Sequence, residues 1–170
     1  MNDTMKRYTA IEAETVPIIR ITRDFAATTA QQFRAHTHPE LAVQWVGPDG
    51  MTTAPDRGDA STGGSWRYAA ARGGMEFGFH DCFHEVRPDR IVQTFTWEGD
   101  ADGVALETVC FEEFGDARTW LRAQSLCDSF EGRDAWLRSG MEVSVYQGHA
   151  KLAALLAAGE IAGTVEGAQA

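Results

Sequence analysis

The sequence predicts an α+β domain in which a curved antiparallel sheet is wrapped around one long C-terminal helix. Between residues 51 and 128, apolar and polar residues alternate with period two, and turns at Gly63-Gly64 and Gly73-Gly74 divide the stretch into about six strands. From about Phe130 to Ala158, apolar residues recur at three- and four-residue steps, which is typical of an amphipathic helix. A sheet that is apolar on one face must be covered, and this helix is the only predicted element long enough to cover it.

The elements before the sheet are shorter. Residues 1–16 are polar and mixed, which indicates a tail or an extra edge segment. The segment PIIRITRDF is rich in β-branched residues and predicts the first strand. Two short helices follow: TTAQQFRAHT, opened by Thr28 or Thr29, and THPELAVQW, in which Thr37 and Glu40 have the spacing of a capping box.

Length and composition predict one domain and exclude several functions. The 170 residues are 44% hydrophobic and carry a net charge of −10, which argues against nucleic-acid binding because phosphate recognition needs a basic face. No signal peptide and no run of transmembrane length are recognised, so we expect no membrane insertion. Three scattered cysteines fit a reducing cytoplasm. We divide the chain into a tail (1–16), a domain (17–158) and a second tail (159–170).

Alternation along the strands also predicts which residues face the helix. If the curled sheet leaves space beside the helix, that space is a ligand cavity. It would be lined by the side chains that alternation places on the inner face of the sheet, which we call the inward phase. The predicted lining residues are Trp45, Trp66, Tyr68, Phe79, Phe95, Trp97, Phe111, Leu121, Met141 and Val145. Trp45 is expected either near the mouth of the cavity or, equally, as a packing residue that closes the core. The same pattern is equally that of an ordinary filled core. Gly148, on the inward face of the predicted helix, favours open space, and on this hypothesis a leucine at 148 would fill it.

Four polar residues share the inward phase: Asp81, Glu85, Gln93 and Ser125. Asp81 and Glu85 form a candidate carboxylate pair with raised pKa for acid–base chemistry. The alternative is structural, with both carboxylates at a strand end and paired to Arg87 or Arg90. No nucleophile motif and no phosphate-binding loop accompany them.

The segment FHDCFHE places His80, Cys82 and His84 on one side of a strand, and these are residue types that zinc prefers. Phe79 and Phe83 occupy the opposite, apolar phase. We therefore expect the histidines and the cysteine on the outer face, where the next strand offers only poor ligands. The sequence favours no metal and no other cofactor.

Several segments together carry a resemblance to a known family. TRDFAATTAQQFRAHTHPELAVQWVGP matches an opening signature at Pro39, Glu40 and Leu41 and again at Trp45, while GGSWRY, FHDCFHEVRPDRIVQTFTWEG, ETVCFEEFGDART and LRSGMEVSVYQGHAKLAALLA match later strands and the final helix. They resemble the START-like (SRPBCC) superfamily, and more narrowly the branch named after the C-terminal domain of the activator of the heat-shock-protein-90 ATPase. Four positions depart from the pattern: Thr28 replaces proline, His36 and Val46 replace tryptophan, and His38 replaces aspartate.

The resemblance implies the helix-grip fold and a cavity that binds apolar small molecules or lipids. Some relatives are cyclases or hydrolases, and the namesake of the branch binds a chaperone. We therefore predict a protein that binds a small apolar or amphipathic molecule. The alternatives are a stress-related co-chaperone, which would use an exposed surface patch, and a cyclase-like or hydrolase-like enzyme using the same cavity. A homodimer is possible under each prediction.

Overall fold

A computed structural model describes residues 9–13 and 15–163. Its eight strands and four α-helices follow the predicted order along the chain. The strands are β1 (Thr9–Ala13), β2 (Ile18–Phe25), β3 (Thr52–Gly58), β4 (Ser65–Arg72), β5 (Met75–Arg87), β6 (Arg90–Trp97), β7 (Val104–Glu113) and β8 (Thr119–Leu126), and the helices are α1 (Thr29–Thr37), α2 (Pro39–Trp45), α3 (Phe130–Arg138) and α4 (Met141–Ala157).

All eight strands form one antiparallel sheet in the order β1-β2-β8-β7-β6-β5-β4-β3. Consecutive strands from β3 to β8 pair as hairpin neighbours, and β2 joins the last of them along its full length, from Ile18 opposite Leu126 to Phe25 opposite Thr119. The predicted architecture, a curved antiparallel sheet with a long C-terminal helix, is confirmed.

The first helix begins with a capping box that the sequence analysis did not identify. Thr28 Oγ1 accepts a hydrogen bond from Gln31 N at 3.2 Å, and Gln31 Oε1 accepts one from Thr28 N at 3.0 Å. The predicted box at Thr37 and Glu40 is wrong. The N-cap of α2 is His38, and the Thr37 hydroxyl donates instead to the carbonyl of Phe33.

The C-terminal helix is not continuous, which corrects the prediction of one helix from about 130 to 158. Helix α3 ends at Arg138, and α4 begins at Met141. Gly140 between them has φ +87°, a left-handed conformation that ends an α-helix and that glycine adopts without a steric cost. The 17-residue α4 alone therefore lies along the sheet, and α3 packs beside its start.

Helix α4 buries Met141, Gly148 and Leu152, as its apolar stripe predicts. It also buries Tyr146 and His149, which the stripe did not include, because only part of this helix faces the sheet and the remainder packs under α1 and α2. The main core cluster joins Phe25, Trp66, Phe83, Ile91, Phe111, Leu121, Leu152 and Leu156.

Both ends of the described chain contact the domain. Strand β1 adds to the edge of the sheet beside β2. After α4, Ile161 is only 1% exposed, and its carbonyl accepts a hydrogen bond from Gln31 Nε2 at 3.0 Å. The rest of the two predicted tails, residues 1–8, 14 and 164–170, lies outside the described residues. No helix in the described part of the chain is long and apolar enough to cross a membrane.

Candidate ligand cavity

A cavity of about 560 Å³ lies between the inner face of the sheet and helices α2, α3 and α4. Strands β2 to β8 all contribute to its lining, and its volume falls within the range of small-molecule binding sites. Pro55, Tyr68, Phe79 and Trp97 lie in register across β3, β4, β5 and β6. Pro55 and Trp97 are exposed, so this level of the sheet forms a rim open to solvent.

The structure places nine of the ten predicted cavity residues on this lining. They are Trp45, Trp66, Tyr68, Phe79, Phe95, Trp97, Leu121, Met141 and Val145. Phe111 lies elsewhere, although it shares the inward phase. It is 3% exposed, and its ring packs edge-on against the ring of His36 with 5.0 Å between centroids, because α1 covers this part of β7.

Asp81 and Gln93 also line the cavity, but Glu85 does not. A β-bulge between Phe83 and Glu85 shifts the register of β5 against β6. The extra residue reverses the side-chain phase, so that Val86 packs against the core and Glu85 points away from it. Glu85 is ion-paired to Arg90 at 2.7 Å and to Arg87 at 3.4 Å, which is the structural alternative stated above.

Four aromatic rings form a stacked column along the lining. Tyr68 stacks on Phe79 at 5.2 Å between centroids, Phe79 on Phe95 at 5.6 Å, and Phe95 on Trp136 of α3 at 5.3 Å. Trp136 was not predicted, because it belongs to the separate helix α3 rather than to the apolar stripe of one long helix. The two middle rings, Phe79 and Phe95, are stacked on both faces, and the column gives the cavity a well-packed apolar wall.

Asp81 is the most deeply buried acid on the lining, at 2% exposure. Its Oδ2 accepts a hydrogen bond from the indole N–H of Trp66, while its Oδ1 is buried without a hydrogen-bond partner. Burial raises the pKa of Asp81 to about 8, and the nearby Glu107 contributes in the same direction, against the opposing hydrogen bond from Trp66. The carboxyl group is therefore mostly protonated at neutral pH in the empty cavity.

Glu107 is a second acid on the lining that the sequence analysis did not select. Gln93, Glu107 and Ser125 lie directly opposite one another across β6, β7 and β8. Ser125 Oγ donates to Glu107 Oε1 at 2.9 Å, and burial raises the pKa of Glu107. The alternation that placed Phe111 on the inward face also places Glu107 there, so the signal was present in the sequence. We call Asp81, Gln93, Glu107 and Ser125 the acidic band.

Two histidines lie on the lining away from the rim: His149 is buried, and His36 is partly buried. His36 Nδ1 is 2.7 Å from the carbonyl oxygen of Gln32, and the ring of His149 packs edge-on against Phe25 at 5.6 Å. Burial lowers the pKa of His36 to about 4 and that of His149 to about 3. Both rings are therefore neutral at physiological pH and act as part of the apolar wall. His36 is one of the positions that depart from the family signature.

Trp45 lies between these histidines, with its ring centroid 4.8 Å from that of His36 and 6.4 Å from that of His149. Its indole N–H donates to the carbonyl of Ala35 at 3.1 Å, which fixes the end of α2 against α1. The open rim is formed by Pro55 and Trp97 instead. Trp45 therefore closes the helical side of the cavity, which agrees with the packing alternative rather than with a position near the mouth.

The segment after Trp45 is held against α4 by polar contacts. Lys151 Nζ donates to the carbonyl of Gly47, and Gln147 Oε1 accepts from the backbone N–H of Asp49, both at 2.8 Å. A Cβ at Gly148 would lie 2.9 Å from the carbonyl oxygen of Trp45. Gly148 thus permits close approach of two backbones and does not leave a vacant space, which corrects the hypothesis that a leucine there would fill the cavity.

The row of His80, Cys82 and His84 lies on the outer face of β5. Cys82 and His84 are exposed, and His80 Nδ1 is 3.4 Å from Glu98 Oε1. Within residues 9–13 and 15–163, no three His, Cys, Asp or Glu side chains are grouped so as to hold a metal ion. Glu98 also accepts two hydrogen bonds from Arg67, each at 2.7 Å, so that His80 belongs to a surface ion-pair network.

Replacing His80 or His84 with alanine is expected to change the free energy of unfolding by less than about 0.5 kcal/mol, because exposed strand side chains away from special features contribute little. Urea unfolding of the two variants and the wild type measures this change. Metal analysis of untagged protein is the companion experiment. One equivalent of zinc in the wild type, lost in both variants, would contradict the surface interpretation.

Comparison with known proteins identifies relatives of the whole domain. Residues 26–157 match the family model described as Activator of Hsp90 ATPase homolog 1-like protein. No curated protein matches the chain. Among solved structures, a protein from Rhodobacter sphaeroides is similar with a TM-score of 0.81 at 24% identity, over 88% of this chain and 99% of that one.

Two further structures show the same fold. An Arthrobacter aurescens protein has a TM-score of 0.81 at 20% identity, over 88% of this chain and 91% of that one. The AHSA1 protein from Silicibacter pomeroyi has a TM-score of 0.68 at 23% identity, over 84% of this chain and 99% of that one. The family match spans most of the chain and agrees with the fold, so the protein belongs to the family of Activator of Hsp90 ATPase homolog 1-like proteins.

Proposed function

We propose that the protein binds a small, mainly apolar molecule in the cavity between the sheet and α4. The observation that carries this proposal is the lining itself: a stacked column of four aromatic rings beside one band of polar groups, in a space of about 560 Å³. Small-molecule sites typically combine an apolar wall with a few polar groups that orient the ligand. The ligand expected from this lining is amphipathic, with an aromatic or lipid-like body and at least one polar group.

A second candidate function is acid–base catalysis in the same cavity, and the observation that favours it is Asp81. Its pKa of about 8 lies near neutral pH, where a general acid or base is most effective, and its Oδ1 has no hydrogen-bond partner. Mass spectrometry of a ligand before and after incubation with the protein distinguishes the candidates. A carrier returns the molecule unchanged, and an enzyme returns a product that Asp81→Asn does not form.

Native mass spectrometry of the purified protein is the direct test, since a co-purifying molecule adds a defined mass. A matched pair of variants on α4 locates the site. Val145 lies on the cavity lining, whereas Val143 is 42% exposed on the same helix. We expect Val145→Phe to fill part of the cavity and reduce the affinity for a fluorescent apolar probe, such as an anilinonaphthalene sulfonate, by roughly tenfold or more.

Val143→Phe adds the same side chain to the opposite side of the helix and should leave probe affinity unchanged. Probe titration followed by fluorescence measures both variants, and urea unfolding checks that both are folded. Equal probe affinity in the wild type and in Val145→Phe would show that the probe binds elsewhere, and would contradict the proposal.

The remaining parts of the proposal follow from the family and the composition. We place the protein in the cytoplasm, since Cys82, Cys110 and Cys127 are all free thiols. A role as a co-chaperone and a homodimeric state stay predictions. Pull-down with a heat-shock ATPase and sedimentation analysis test these two predictions independently of the cavity.

A further inference from the structure

We propose that the acidic band binds a protonated amine on the otherwise apolar ligand. This inference rests on the proposed function and adds to it the chemical class of the ligand. It begins from Asp81 Oδ1, which is buried on the cavity lining and accepts no side-chain hydrogen bond from the described residues, although the backbone of Thr96 also lowers the pKa of this carboxyl. A buried acceptor without a donor destabilises the folded protein, and a donor supplied by the ligand would remove that cost.

Two side-chain donors already bind the acids of the acidic band. The indole N–H of Trp66 donates to Asp81, and the hydroxyl of Ser125 donates to Glu107. Two carboxyl groups offer four oxygen atoms, and of these only Asp81 Oδ2 and Glu107 Oε1 accept a hydrogen bond from the side chains of the described residues. An ammonium group carries three N–H donors on one centre, so it can donate to more than one carboxyl oxygen. A carbonyl or ether ligand could only accept, and would leave the remaining carboxyl oxygens without donors.

Charge favours the same ligand class. Among the described residues, neither Asp81 nor Glu107 is ion-paired to a basic side chain, and no cation contributes to the pKa of either group. The lining arginines, Arg57 and Arg67, are on β3 and β4, and Arg67 is already paired to Asp56 and Glu98. A ligand cation would therefore provide the opposite charge that this buried pair lacks.

The groups that the other elements contribute to the cavity beside the acidic band add no positive charge. Tyr68 of β4 is a phenol whose pKa burial raises further, so it stays neutral. Helix α3 contributes Trp136, and α4 contributes Ser144 and Val145, none of which carries a charge. His149, at the other end of the cavity, has a pKa of about 3 and is neutral.

Binding of an amine should release a proton from Asp81, so the affinity for the amine should change with pH in a predictable direction. In the empty cavity Asp81 has a pKa of about 8, so it carries a proton at pH 7. A bound ammonium favours the carboxylate form and releases that proton, and the affinity for an amine therefore rises as the pH increases from 6 to 8. A neutral ligand that accepts a hydrogen bond from the protonated acid would instead bind more weakly over the same range.

The experiment uses three probes with one aromatic body: 1-naphthylmethylamine, 1-naphthalenemethanol and 1-naphthoate. Isothermal titration calorimetry at pH 6, 7 and 8, repeated in two buffers of different ionisation enthalpy, gives both affinity and proton release. We expect the amine to bind roughly tenfold more tightly than the alcohol at pH 7, with the carboxylate weakest, and with close to one proton released per amine bound.

Variants assign the effect to the acidic band. Asp81→Asn and Glu107→Gln should each lower amine affinity towards that of the alcohol while changing alcohol affinity less than about twofold. Glu85→Gln is the matched control, since it removes a carboxylate of the same strand that lies outside the cavity. Urea unfolding confirms that each variant is folded.

Amine selectivity, proton release and their loss in the two variants support the inference. If the alcohol binds as tightly as the amine, or if amine affinity falls with rising pH, the inference is overturned while the proposed function stands. If none of the three probes binds and Val145→Phe behaves as the wild type with the fluorescent probe, both the inference and the proposed function fail.

Discussion

Replacing Gly148 with leucine is expected to lower the free energy of unfolding by about 3 kcal/mol or more. A Cβ at this position would lie 2.9 Å from the carbonyl oxygen of Trp45 and 3.8 Å from the backbone of Gly47. Overpacking a close contact costs about 1–3 kcal/mol when side chains can move. Here the neighbour is backbone, fixed by the hydrogen bond from Lys151 to Gly47 and by that from Trp45 to Ala35, so the upper part of the range applies.

Glycine inside a helix costs about 1 kcal/mol relative to alanine, so Gly148 is unfavourable for α4 taken alone. The close approach of α4 to the end of α2 offsets that cost. Gly148→Ala should therefore also destabilise the protein, but less than leucine. Ala154→Leu is the matched control, since Ala154 is exposed on the same helix and leucine has good helix propensity. Urea unfolding of the three variants gives the order. A Gly148→Leu variant as stable as Ala154→Leu would contradict the close packing.

The elements that sequence reasoning predicted correctly are those set by short-range periodicity. Alternation along β4 and β6 placed Trp66, Tyr68, Phe95 and Trp97 on one face, and the structure brings them to the cavity lining. The side-chain period of two is a property of the strand itself, so it needs no knowledge of distant parts of the chain.

Where the predictions were wrong, a single residue changed the local geometry. One extra residue in β5 moved Glu85 to the outside, and Gly140 divided the C-terminal helix. Neither position has a distinctive sequence signal: Glu85 follows an unbroken alternation, and Gly140 is one of 17 glycines. The role of Gly148 depended on the carbonyl of Trp45, more than a hundred residues earlier in the chain. Contacts of this range are absent from any local pattern.

Replacing Asp81 with asparagine is expected to stabilise the protein at alkaline pH by several kcal/mol. The folded-state pKa of Asp81 is about 8, whereas an aspartate in an unfolded chain has a pKa of about 3.9. The folded state therefore binds the proton more tightly. The stability that Asp81 contributes is fully present below about pH 4 and is lost as the pH rises to about 8. One pKa unit corresponds to about 1.4 kcal/mol, so the full loss is on the order of 5 kcal/mol.

Asparagine has nearly the same shape, keeps an oxygen that can accept from Trp66, and does not ionise. The two histidines on the cavity lining change stability with the opposite sign. Their folded-state pKa values, about 4 for His36 and about 3 for His149, lie below the ordinary value, so stability is lost as the pH falls below about 6.5. Because both histidines are present in the wild type and in the variant, their contribution cancels in the difference between the two proteins.

Urea unfolding of the wild type and Asp81→Asn at pH 4, 6, 7 and 8.5 measures this difference in the free energy of unfolding. Near pH 4 the two proteins should agree within about 1 kcal/mol, and the advantage of the variant should then grow steadily to pH 8 and remain constant above it. Asp116→Asn, which removes the same charge from an exposed turn, should show less than about 0.5 kcal/mol of difference at every pH. A parallel pH profile for Asp81→Asn and the wild type would mean that the carboxyl of Asp81 ionises in the folded protein as easily as in water. The acidic band would then be hydrated, and its protonated state could not contribute to ligand recognition.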